Sequence, residues 1–174
     1  LANYVINDSS LNIEGENART HLLNKIGQSM WKKAKKITSM SFGHGGLFLV
    51  PYVKGNKLYY TMVAQSRVTI DSTDGDFITG VTILAERKEI SRGIGQTKTY
   101  IRWTNYRLEN SNCIIEQKFT DETGAEIPTP SFWKNIMIKQ TISNVDRVHL
   151  GYIKSPINNR RSNDKYGVPI TYGC

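Results

Sequence analysis

The residues that could carry chemistry in this 174-residue chain are three histidines, two cysteines and a few close carboxylate pairs. Their spacing argues against most of it. His21, His44 and His149 stand far apart, with no cysteine or carboxylate at metal-ligand spacing, so no zinc site is expected. His44 has the most suggestive setting, within Gly43-His-Gly-Gly46. Glycines there would let a backbone approach a phosphate, but no Lys-Ser/Thr follows, so this is not a phosphate-binding P-loop. Gly93-Ile-Gly95 lacks the third glycine of a dinucleotide fingerprint and opens no helix. Tight turning is the simpler reading of both. There is no Gly-x-Ser-x-Gly elbow and no evident Cys/His pair. Asp74/Asp76 and Asp121/Glu122 fall in turn-like stretches, where aspartate is common anyway. Cys113 reads as a small buried hydrophobe in a strand, and two cysteines make no disulfide framework, which fits a reducing compartment. Asn7-Asp-Ser9 matches a glycosylation sequon, but nothing points to secretion. The expectation is a chain with no catalytic, cofactor-binding or metal-binding residue, and not an enzyme.

Positive charge is the other chemical asset. The net charge is +8 and the sequence pI about 9.5, a balance that attracts polyanions or merely keeps a surface solvated. Lys25, Lys32, Lys33, Lys35 and Lys36 gather toward the end of the first helical pattern, where cations suit the helix dipole. A second basic and aromatic group, Arg102, Trp103, Tyr106 and Arg107, shares one strand pattern. It fits either base stacking or ordinary cross-strand packing.

These groups need elements to hold them. Tyr4-Val-Ile6 reads as a short strand or an extended arm. A helix is expected over Asn17–Thr38, with Leu22, Leu23, Ile26, Met30, Trp31, Ala34 and Ile37 as its apolar stripe and Trp31 as a core anchor. From Leu47 the period changes. Leu47–Val53 is a strand whose Pro51 implies an edge or a bulge, Lys54-Gly-Asn56 a hairpin turn, and Leu58–Ile70 a second strand. Asp71–Asp76 is a turn, and Phe77–Ile90 a third strand with Phe77, Thr79, Val81, Ile83 and Ala85 on one face. Ser91–Thr97 is a glycine-bearing loop. Thr99–Leu108 and Cys113–Thr120 form a hairpin, 121–145 a long excursion, Arg147–Lys154 a last strand and 155–174 an extended loop. The fold class expected is α+β, with one long amphipathic N-terminal helix packed on an antiparallel meandering β-sheet. Residues 1–174 form a single domain. No run is long enough for a helical membrane span, and the non-Met start and Cys174 end suggest a piece cut from a longer protein.

In this order the elements resemble part of a tailed-phage portal protein, of the type found in phages of Gram-positive bacteria. The resemblance runs through the helix and Met40–Lys57, then Val63–Ile70 with Asp74–Val81, then Glu86–Tyr106, and last Leu150–Asn159 with Lys165–Gly173. It does not extend to 121–145. It implies the wing region of a longer portal subunit, a structural component of the head–tail connector ring through which DNA is packaged and ejected. The implied partners are other portal subunits in a dodecameric ring, the terminase, head–tail adaptor and capsid or scaffold proteins, and the DNA passing through, with no membrane. The implied location is the portal vertex of the virion, and the host cytoplasm during assembly. Two competing readings remain. One is a basic nucleic-acid-binding module using Lys32–Lys36 and Arg102/Trp103/Tyr106/Arg107. The other is an enzyme holding a phosphate in the Gly43–Gly46 loop beside His44.

Overall fold

The computed structural model describes residues 13–55, 57–91, 93, 96–155 and 166–167. They belong to two compact units, one made of Leu1–Phe48 with Tyr152–Cys174 and the other of Leu49–Gly151.

The first unit contains the helices. Helix α1 spans Ala18–Trp31. Asn17 caps it, its Oδ1 accepting from the Thr20 backbone N–H at 2.8 Å and the Thr20 hydroxyl at 3.0 Å. Helix α2 spans Ala34–His44 and ends at Gly45, whose φ of 78° supplies the left-handed turn that closes a helix. The single helix expected over Asn17–Thr38 is therefore two short ones. Lys32 N–H still reaches Gln28 O, but Lys33 N–H tightens onto Met30 O, and Lys33 leaves the helical region. Lysines at 32, 33, 35 and 36 put like charges at i,i+3 and i,i+4 spacing, which disfavours a straight continuation. The apolar stripe is also narrower than expected. Ala34, Ile37, Thr20 and Gly27 are buried, whereas Leu22 and Leu23 are exposed and Trp31 is half-buried.

The strands form two antiparallel-rich sheets rather than one. Strands β1 (Gly46–Lys54), β2 (Lys57–Ala64) and β8 (Gly151–Lys154) make a three-stranded sheet in the order β2-β1-β8. Strands β3 (Val68–Asp74), β4 (Phe77–Ser91), β5 (Thr97–Glu109), β6 (Asn112–Asp121) and β7 (Lys139–Ser143) make a five-stranded meander, antiparallel at every junction. The α+β class and the antiparallel meander thus match the expectation.

Several boundaries differ. Leu58–Ile70 is broken by a 3-10 turn at Gln65–Arg67, which carries the chain from one sheet to the other. A bulge in β4 between Leu84 and Glu86 disturbs the ladder there. The Arg67 guanidinium donates to the carbonyls of Leu84 and Ala85 at 2.7 and 2.9 Å, so the broken strand supplies the donor that the bulge needs. The excursion at 121–145 contains β7 and a 3-10 turn at Ser131–Trp133. The last strand begins at Gly151, not Arg147. Pro51 lies in a central strand, but beyond the stretch that β8 flanks. Ser155 N–H donates to Gly45 O at 3.0 Å, and a Cβ on Gly151 would sit 3.7 Å from that of Leu49. The Tyr4–Ile6 strand, the 7–9 sequon, Cys174 and most of the 155–174 loop lie outside the described residues.

Within Leu49–Gly151 the core lies on one face of the meander. The register pairs Val68 with Ile83, Ile70 with Val81, Val81 with Tyr106 and Ile83 with Thr104. All of these are buried, as are Cys113, Phe119, Trp133 and Val148. Phe77 departs from the expected buried face. It is exposed at the strand start, with the Arg147 guanidinium 5.3 Å from its ring centre.

Candidate functional site

The glycine-rich junction is a close-packing device. Gly43 lies inside α2, and Gly45 ends it. The Gly45 carbonyl accepts the Ser155 N–H, and a Cβ on Gly167 would collide with that same carbonyl. Gly167 N–H donates to the Tyr152 hydroxyl at 3.1 Å, and the Tyr152 ring stacks on Phe48 at 4.3 Å between centres. Nearby, the Ser41 hydroxyl donates to Ile153 O at 3.0 Å. Gly45 is favoured by its left-handed φ of 78° and Gly167 by the approach of its backbone to the Gly45 carbonyl, whereas a Cβ on Gly43 would meet nothing. The loop is also the C-terminus of a helix, where carbonyls and partial negative charge face outward. Phosphate binding wants the opposite end, so the phosphate reading of Gly43–Gly46 loses its physical basis. His44 is exposed in that last helical turn, and His21 and His149 are exposed elsewhere. Among the described residues no three metal-ligating side chains cluster. Gly95 lies outside the described residues.

The strand group Arg102, Trp103, Tyr106 and Arg107 does not form one surface, because neighbouring strand residues alternate between faces. Arg102 and Tyr106 take the core-side face. Glu86 Oε2 accepts from Arg102 at 3.3 Å and from the Trp133 indole N–H at 3.1 Å. Trp133 stacks on Phe119 and meets Phe132 edge-on, and Phe132 in turn meets Tyr100 edge-on. Lys88 lies 4.5 Å from the centre of the Phe132 ring. These contacts pin the Ser131–Trp133 turn onto the meander. Burial pushes the Tyr106 hydroxyl up to about 12, the nearby Cys113 adding to the rise and Arg102 opposing it.

On the other face, the Trp103 indole N–H donates to the Thr120 hydroxyl at 3.0 Å. Arg107 pairs with Glu109 at 2.8 Å and Glu116 at 3.1 Å, and Lys139 pairs with Glu116 at 3.0 Å. The hydrogen bond from Lys139 holds the Glu116 carboxyl below its usual value, helped by the charge of Arg107. Cross-strand packing therefore accounts for this group. Glu86, Phe132 and Trp133 escaped the sequence reading. The one visible signal was an adjacent aromatic pair closely following Pro128 and Pro130.

Of the two acid pairs, Asp121 has a structural role in its turn. Asp121 Oδ1 accepts from the Thr123 hydroxyl at 2.6 Å, the Thr123 N–H at 2.9 Å and the Ala125 N–H at 3.1 Å. Those bonds, that of the hydroxyl foremost, hold its carboxyl below the usual aspartate value. Asp74 and Asp76 flank Gly75, whose φ is 54°, in the β3–β4 turn. An open cleft of about 410 Å³ is lined by Lys98, Thr99, Asp121, Glu122 and Thr123, and the Oδ1 of its Asp121 is already engaged in the turn.

Charge is distributed unevenly. Residues 1–48 and 152–174 hold ten basic and four acidic side chains, a net +6, whereas 49–151 hold thirteen and eleven, a net +2. The ion pairs among the described residues all lie in the second of these groups. Lys25, Lys32, Lys35 and Lys36 are exposed. No protein family matches this sequence, and no curated protein matches it.

Proposed function

We propose that this chain is a structural segment of a tailed-phage portal subunit, from the wing region of a longer protein. In the assembled particle it packs against neighbouring subunits of a dodecameric ring at the portal vertex. DNA enters and leaves through that ring, which docks the terminase during packaging and the head–tail adaptor afterwards. The segment itself catalyses nothing. Support comes from the resemblance over the helix with Met40–Lys57, Val63–Ile70 with Asp74–Val81, Glu86–Tyr106, and Leu150–Asn159 with Lys165–Gly173, and from the α+β class. The observation that carries it furthest is the exposed apolar tip of the β1–β2 hairpin. Tyr52 and Tyr59 stack there at 5.5 Å, and Val53 and Leu58 are 70% and 54% exposed. Apolar side chains gathered on a surface mark a place that another protein covers. Light scattering on the full-length parent tests the proposal. A mass of about twelve subunits supports it, and a monomeric parent refutes it.

A further inference from the structure

We infer that the solvent face of the two helices is a contact surface for the phosphate backbone of nucleic acid, formed by Lys25, Lys32 and Lys36 with Lys35 beside them. Three observations converge. First, these four lysines are exposed and make no ion pair among the described residues, whereas the arginines of the meander are matched with Glu86, Glu109 and Glu116. Second, from Asn17 to Ile70 the sequence has no acidic residue at all, so nothing along the helices neutralises the cluster. Third, Lys25 stands about 200° around α1 from the buried Gly27, and Lys36 about the same angle around α2 from the buried Ala34, with Lys32 at the junction of the two helices.

A DNA strand presents a phosphate about every 3.4 Å of axis, so adjacent exposed ammonium groups can each meet one. Like charges three and four residues apart repel one another in the free protein, and a polyanion relieves that repulsion as it binds. The residues between the lysines, Gln28 and Ser29, are exposed and polar. Leu22 and Leu23 are exposed on α1 before Lys25, but the fully exposed positions of α2 are Lys35, Lys36, Ser39, Gly43 and His44, so a lipid surface would meet exposed apolar side chains at the start of α1 alone. A phosphodiester backbone fits better than a membrane, and recognition would be independent of base sequence. The inference does not depend on the portal reading, which the parent's mass decides separately.

The test is fluorescence anisotropy of a fluorescein-labelled 20-base-pair duplex with the whole chain, from 50 to 200 mM NaCl. Binding is expected at roughly 1–100 µM, with log K falling against log salt by about 0.9 for each phosphate neutralised. Changing Lys25, Lys32 and Lys36 together to Gln should weaken binding at least tenfold and flatten the slope by about 2.7. Changing the same three to Arg should leave binding within about twofold of the parent chain, since only charge is being read. Lys88→Gln with Lys98→Gln should also leave it unchanged. The inference is overturned if the duplex does not bind at 50 mM NaCl, if the triple Gln variant binds like the parent, or if the Lys88/Lys98 variant is the one that fails. Binding to phosphatidylglycerol vesicles without binding to the duplex overturns it equally.

Discussion

Tyr106 keeps its proton to about pH 12 because its phenol is buried against the meander. Below pH 10 both the folded and the unfolded chain hold that proton. Between about 10 and 12 the unfolded chain releases it while the folded protein retains it, so the unfolded state is favoured as pH rises. The stability linked to the neutral phenol is lost by about pH 12, and a shift of this size is worth about 2–3 kcal/mol. Tyr106→Phe should therefore flatten the fall in melting temperature between pH 9 and 12, measured against the parent chain in the same buffers. An equal fall in both proteins would show that Tyr106 is not the group responsible. Trp133 makes a second residue-scale case. Its ring is buried and its N–H shares Glu86 with Arg102. Trp133→Ala should cost about 3–5 kcal/mol in denaturant unfolding. Trp133→Phe keeps an aromatic ring and loses the hydrogen bond, so it should cost much nearer 1 kcal/mol. Equal losses would mean that the Glu86 bond, not the ring, pins the turn.

Turns and junctions decide where the elements begin and end. Asn110 and Ser111 have φ of 48° and 60°, the left-handed pair of a two-residue hairpin turn between β5 and β6. Glycine suits the second position better than serine, so Ser111→Gly should stabilise the protein by up to about 1 kcal/mol, raising its melting temperature. A lowered melting temperature would indicate that the Ser111 side chain has a role of its own. This hairpin was legible in the sequence because Asn and Ser interrupt two β-rich runs, and the β3–β4 turn was legible from Asp-Gly for the same reason. The break at Lys32–Lys33 was not, since it has neither proline nor glycine and the apolar period continues through it. The split of Leu58–Ile70 was hidden too. It depends on Arg67 reaching carbonyls beside a bulge seventeen residues away, and no local pattern encodes that. The Gly43–Gly46 cluster was visible as a turn. The contacts of Ser155 and Gly167 with the Gly45 carbonyl were not, because both partners lie far along the chain. The candidate basic site was half legible. Both lysine and arginine clusters stood out in the sequence, but Glu86 and Glu116 lie across strands from the arginines they neutralise.

At the scale of the whole molecule, the proposed ring and the exposed β1–β2 hairpin make one joint prediction. Among the described residues, Pro51–Lys54 and Lys57–Tyr59 are all exposed, and four of these seven side chains are large and apolar. Burying such a side chain is worth about 1.5–3 kcal/mol, so a neighbouring subunit that covers the tip gains more than a surface ion pair gives. A charge placed there would be desolvated on assembly without a partner, which is costly. Val53→Glu should therefore leave the melting temperature of this chain within about 2 °C of the parent, because the position is exposed and surface changes are usually small. In the full-length protein the same change should lower the mass seen by light scattering from a ring to smaller species. Val53→Thr, close in shape and uncharged, should assemble nearly as well. If Val53→Glu forms rings as readily as the parent, the hairpin is not a subunit contact, and the apolar tip must be assigned to another partner even if the ring itself is real. If the melting temperature of the isolated chain falls sharply, Val53 supports the fold of its own sheet, and its exposure no longer argues for a neighbour.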